Sequence, residues 1–112
     1  MPRQAVKPKQ QSPKPELSSI EKVLEERSKQ YGAFIDHSII AQGLKDLMRA
    51  TPGWTRLAPD QKESLEMVMH KIARVLNGDP NFLDSWIDSG GYIKLVTDRL
   101  EVQAKTKKTW RL

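Results

Sequence analysis

The stretch Pro59-Asp60-Gln61-Lys62-Glu63-Ser64-Leu65-Glu66-Met67-Val68-Met69-His70-Lys71-Ile72-Ala73-Arg74-Val75-Leu76-Asn77-Gly78 decides the fold class. Proline at a first helical position gives up only an N–H that would have no partner there. Asp60 beside it complements the positive helix start, and Gly78 closes the run. At roughly 100° per residue, Leu65, Val68, Met69, Ile72 and Leu76 fall in one apolar stripe of the width a core helix shows.

Working outward, the same reading gives three more helices. Ser18 with Glu21 three residues on is a capping box, and Ile20, Val23, Leu24 and Tyr31 repeat on one face until Gly32. A second helix is predicted from about Asp36 to Ala50, burying Ile40, Leu44, Leu47 and Met48 and ending at Pro52-Gly53. A fourth is predicted to start at Asp79-Pro80, capped by Asp79, and to reach about Val102 through Phe82, Trp86, Ile87, Ile93 and Leu100. No run of four or more alternating residues argues for a strand. The expected fold is therefore all-α, a small four-helix bundle with short connections and antiparallel neighbours.

At 112 residues the chain has room for one domain. It divides into a Pro/Lys-rich arm (1–15), a helical domain (16–103) and a basic C-terminal tail (104–112), with both ends expected to be disordered. The net charge of +5 resides in those ends, each carrying +4, while the body between them carries −3. A mildly acidic body lacks the basic face that a nucleic-acid groove requires, so the tails read first as solubilising ends, with weak, salt-sensitive nucleic-acid binding through them as the lesser alternative. No apolar run approaches the ~20 residues of a membrane span, and the charged start has no signal-peptide apolar stretch after it. With no cysteine, disulfides, thiol catalysis and cysteine-ligated zinc are excluded. A cytoplasmic location is expected.

The chain has no phosphate-binding glycine loop, no H-E-x-x-H and no G-x-S-x-G elbow. Its two histidines, His37 and His70, are too far apart in sequence for a local metal pair. Charged residues remain. Arg27 falls between Val23 and Tyr31 on the apolar face of the first helix. It is either paired in the core, since an unpaired buried charge is costly, or packed by its stem with its head in solvent. Asp84 and Asp88, four apart, share a helix face and are either Mg²⁺ ligands or a solvated face. Glu63, Glu66, His70 and Arg74 lie away from the apolar stripe of the third helix, and Lys71 lies at its border. A hairpin about Asp79 brings Arg74 level with Asp84 and Lys71 level with Asp88. The result is either two ion pairs or a polar site for a phosphate and a metal. Gly90 faces the apolar side, where close helix packing explains it; Gly91 lies nearer the aspartates, where packing, a kink or a ligand would.

Glu26-Arg27-Ser28-Lys29-Gln30-Tyr31-Gly32, Met69-His70-Lys71-Ile72-Ala73-Arg74, Asp79-Pro80 and Asp84-Ser85-Trp86-Ile87-Asp88-Ser89-Gly90-Gly91-Tyr92 together resemble a widespread family of small phage and prophage proteins. The pattern reads E-R-x-x-x-Y-G, K-I-A-R and D-x-W-x-D-x-x-G-Y over about residues 21–100. More distantly the chain looks like the all-α nucleoside triphosphate pyrophosphohydrolases (MazG-like), which hold Mg²⁺ through E-x-x-E and E-x-x-D on successive helices. Glu63-x-x-Glu66 and Asp84-x-x-x-Asp88 approximate that arrangement, with a four-residue second spacing and with Lys71 and Arg74 where further acids would stand. The resemblance implies a phage-type accessory protein handling a nucleotide or phosphate. Arg27, Tyr31, Lys71, Arg74 and Tyr92 would contact the ligand, and Asp84 and Asp88 would hold Mg²⁺. The alternative is an interaction module that binds a host or virion protein, with oligomerisation compatible with either.

Overall fold

The computed structural model describes residues 18–111, and side chains through residue 107. The expected arm at 1–15 lies outside the described residues. Among the described residues there are four α-helices, α1 (Ser19–Tyr31), α2 (Phe34–Arg49), α3 (Pro59–Asn77) and α4 (Leu83–Arg111), with a short 3-10 turn at Pro52–Arg56 between α2 and α3. The protein is an all-helical four-helix bundle in which α3 is central, packing α2 on one side and α4 on the other.

Local chemistry sets the helix ends. The Ser18 hydroxyl accepts the Glu21 N–H at 3.1 Å, satisfying one of the free donors of the first turn. Gly32 ends α1 at φ 78°, a left-handed conformation suited to glycine, and its N–H donates to the Ser28 carbonyl. Pro59 opens α3, where the Gln61 side chain reaches back to accept the Ala58 N–H at 2.8 Å. α4 departs from the sequence reading at both ends. Asp79 accepts the Asn81 N–H at 2.9 Å, which shapes a turn, so the helix starts later, at Leu83. It then continues past Val102 to Arg111, through residues assigned from sequence to a tail.

The α3–α4 seam is fastened along its length. Arg99 grips Asp60 through two bonds of 2.9 and 2.7 Å, the Ser64 hydroxyl donates to the Tyr92 carbonyl at 2.8 Å, and Lys71 Nζ meets Asp88 at 3.0 Å. Among the described residues the buried apolar ones are Ala41 on α2 and Ala73 on α3. Buried with them are His37, Ser64, Lys71 and Ser85. Leu47, assigned to the core from its spacing, is 71% exposed, because α2 turns His37 and Ala41 toward α3 instead. Gly90 and Gly91 lie in an unbroken helix, both exposed, and a Cβ at either would meet nothing within 4 Å. Neither the close packing expected at Gly90 nor the kink considered at Gly91 is present within the chain.

Candidate functional site

The C-terminal turn of α1 is locked onto the end of α3. Asn77 Nδ2 donates to the carbonyls of Tyr31 and Ala33 at 2.9 and 3.0 Å, and the Asp79 N–H donates to the Gln30 carbonyl at 2.8 Å. The approach is so close that a Cβ on Gly32 would run into the Asn77 backbone, and one on Gly78 into the backbone of Gln30 and Tyr31. This docking fixes Tyr31, whose ring meets Phe82 edge-on at 5.6 Å and lies under the Arg74 guanidinium, 4.1 Å from the ring centre. A cation over an aromatic face is attracted by the ring's negative π surface.

Between α1, α2 and α3 this leaves a cleft of about 370 Å³. Arg27, Tyr31 and Arg74 line one part, His37 and His70 the floor, and Leu24 and Phe34 an apolar rim. The two imidazoles meet edge-on with centres 4.6 Å apart. Burial, more than the nearby Arg74 and Lys45, pushes His37 below the usual histidine value. Burial likewise lowers His70 to about 4, helped by Arg74, His37, Lys45 and Lys71. Both rings are therefore neutral near pH 7, each able to donate one hydrogen bond and accept another. His37 Nδ1 is buried without a protein partner. The fixed positive charge of the cleft belongs to Arg27 and Arg74. Among the described residues neither forms an ion pair, whereas Arg49 and Arg99 both do.

The structure thus brings Arg27, Tyr31 and Arg74 together and separates them from the other residues singled out by sequence. α1 has no buried residue, so Arg27 is not a core arginine. Arg74 turns to Tyr31 and forms no pair with Asp84, which lines a shallow depression beside Lys22, Glu26 and Tyr31. Lys71 is buried in the seam and paired with Asp88, as the hairpin register required. Tyr92 lies along a second shallow groove on α4 with Asp88 and Gly91. Glu66 is engaged by Arg49 at 2.6 Å, and Glu63 is exposed. Among the described residues no three His, Asp or Glu side chains cluster as metal ligands. Sequence spacing missed His37 and His70, although His70 stands one helical turn before Arg74 on the polar side of α3.

Residues 17–100 match the family described as Domain of unknown function (DUF6378). The chain belongs to the DUF6378 family. The matched span runs from the residue before the Ser18 cap to Leu100 and so takes in the whole cleft. No curated protein and no solved structure matches the chain. Among the described residues of this DUF6378 chain, no helix is long and apolar enough to cross a membrane.

Proposed function

We propose that the cleft between α1, α2 and α3 binds a phosphate-bearing ligand, with a nucleotide as the best fit. The observation that carries this reading is the pair of arginines, Arg27 and Arg74, that face the cleft without carboxylate partners. A guanidinium presents forked donors that match phosphate oxygens, and Tyr31 holds that of Arg74 in place. The neutral imidazoles supply further donors without adding charge. Leu24 and Phe34, 59% and 77% exposed, offer apolar surface for a base or sugar at the rim. If the distant likeness to the MazG-like pyrophosphohydrolases extends to metal use, Asp84 and Asp88 would supply the carboxylates, and Asp88 would have to leave Lys71.

Thermal melting of the full chain with inorganic phosphate, pyrophosphate and nucleoside di- and triphosphates, with and without Mg²⁺, tests the reading. A bound ligand raises the melting point, by about 2.7 kcal/mol of stability at a hundredfold excess over Kd. Arg74→Gln removes charge-assisted bonds of about 1.5–3 kcal/mol and should weaken binding roughly 10- to 150-fold. If no phosphate compound shifts melting under either condition, the nucleotide reading fails. The protein-interaction alternative, supported by the exposed Ile20, Val23 and Leu24 along α1, then stands.

A further inference from the structure

We infer that α1 is a lid, closed toward α2 and α3 by a nucleoside phosphate that Arg27 grips at one end and Leu24 covers at the other. The inference rests on the phosphate-binding reading of the cleft and adds to it a moving part and a narrower ligand class. The first observation is how α1 is attached. From Ser18 to Lys29 every residue is exposed. Among the described residues, the side-chain bonds of that stretch close within the helix itself, joining Ser18 to Glu21, Glu26 to Gln30 and Glu25 to Lys29. The hydrogen bonds that tie α1 to the rest of the chain fall at its far end, on the carbonyls of Gln30, Tyr31 and Ala33. Helices shorter than about 12–15 residues are marginal in water without packing. α1 has 13 residues, none of them buried, so its early turns draw little stability from tertiary contact.

The second observation is what the loosely held part carries. Leu24, Arg27, Ser28 and Tyr31 all line the cleft, and their spacing puts them on one face of α1. Tyr31 belongs to the anchored turn, whereas Leu24 and Arg27 stand on turns with no anchor. Across the cleft lie Arg74 of α3, over the Tyr31 ring, and Phe34 at the start of α2. Leu24 and Phe34 line the same cleft yet are 59% and 77% exposed, so the cleft gapes at its apolar end. Arg27 and Arg74 carry like charges, which favour separation of α1 from α3 while the cleft is empty. An anion between them turns that repulsion into a bridge from one helix to the other.

The two ends of the cleft ask for different chemistry from one ligand. Arg27 and Arg74 call for an anion, and Leu24 and Phe34 call for an apolar, preferably flat, group that both can cover. Inorganic phosphate or pyrophosphate meets the first demand alone and leaves Leu24 and Phe34 in water. A nucleoside phosphate meets both. The cleft, at about 370 Å³, lies at the small end of the ~300–1,000 Å³ range of small-molecule sites, which suits one nucleotide rather than a longer chain. Ordering α1 costs conformational entropy, and the ligand's contacts with Arg27 and Leu24 offset it.

Hydrogen exchange of the full chain tests the lid, with inorganic pyrophosphate and the nucleoside diphosphates of the four common bases as probes. The melting temperature in the same solutions reports whether each probe binds. In the free chain the α1 amides should exchange faster than those of α3. A saturating nucleoside diphosphate should slow the α1 amides roughly tenfold, and bound pyrophosphate should slow them less. Leu24→Gln, at an exposed position, should weaken nucleoside diphosphate binding several-fold and leave pyrophosphate affinity unchanged. Arg27→Gln should abolish the protection of α1, while the affinity that Arg74 still supplies raises the melting temperature at high ligand concentration. A nucleoside diphosphate that raises the melting temperature without slowing α1 would overturn the lid and leave phosphate binding intact. So would α1 amides that are already as slow as those of α3 in the free chain. Equal protection by pyrophosphate would overturn the role given to the nucleoside. If no probe raises the melting temperature, the phosphate reading and the lid fall together.

Discussion

The α3–α4 seam and the α1 attachment are both helix contacts, but they are built in opposite ways. The seam is fastened at separated points from Asp60–Arg99 through Ser64–Tyr92 to Lys71–Asp88, so that no single opening frees α4. α1 is held at one end only, by the turn around Gly32 against Asn77, Gly78 and Asp79, while Ile20, Val23 and Leu24 toward its start remain exposed. A distributed contact gives a rigid platform and a terminal one gives a flap. The cleft lies where the two meet, with Arg74 on the platform and Arg27 on the flap.

The sharpest way to break this contrast is Gly78→Ala. Its Cβ has no room against the Gln30 and Tyr31 backbone and must push the α1 turn away. Overpacking of this kind costs about 3 kcal/mol. Hydrogen exchange in α1 should accelerate roughly 100-fold while the α3–α4 amides keep their protection. A uniform loss across all helices would show that α1 is part of the platform.

A smaller effect is expected in the seam. Asp88→Asn leaves the Lys71 ammonium, 11% exposed, without its counter-charge. The expected loss is about 1–3 kcal/mol, read from urea unfolding. Lys71→Met should cost less, because Asp88 is half exposed and regains water while the methionine packs. A variant Asp88→Asn that is more stable than the parent would instead reveal net repulsion between Asp84 and Asp88, as a metal site implies.

The smallest predicted effect concerns acid. His70 has a folded-state pKa of about 4, below its unfolded value near 6.5, so protons bind the unfolded chain first. Its contribution is present above pH 6.5 and is lost progressively as pH falls toward 4. After allowance for solvent screening this amounts to about 1 kcal/mol. The neighbouring His37, also lowered, loses stability in the same direction. Melting points measured between pH 7 and pH 4 should fall, and His70→Gln should flatten the decline. Phosphate bound in the cleft should raise the His70 pKa and shift the decline, since an anion favours the protonated ring.

Much of the architecture was legible in the residues. The limits of α3, from Pro59 to Asn77, follow from a proline, an aspartate and a glycine acting within a turn of themselves, and the Ser18 cap is equally local. The Lys71–Asp88 pair followed from antiparallel register, which a short connection enforces. Arg27, Tyr31 and Arg74 were expected around one ligand together with Lys71 and Tyr92, but the separation of Lys71, paired with Asp88, and of Tyr92, on another groove, was not. α1 reaches α3 through the Asn77 and Asp79 contacts, which no periodicity reports.

By itself, then, the sequence determined the limits of α1 and α3 and which faces are apolar, because capping, proline geometry and helical spacing act over a few residues. Tertiary structure alone decided that His37 and His70 share a floor and that Arg74 chooses Tyr31 over Asp84. It also decided that Leu47, on the apolar face of α2, stays exposed while His37 and Ala41 are buried. These outcomes depend on the angles at which α2 and α4 pack around α3, and such angles arise from the summed fit of many distant side chains, which no local pattern encodes.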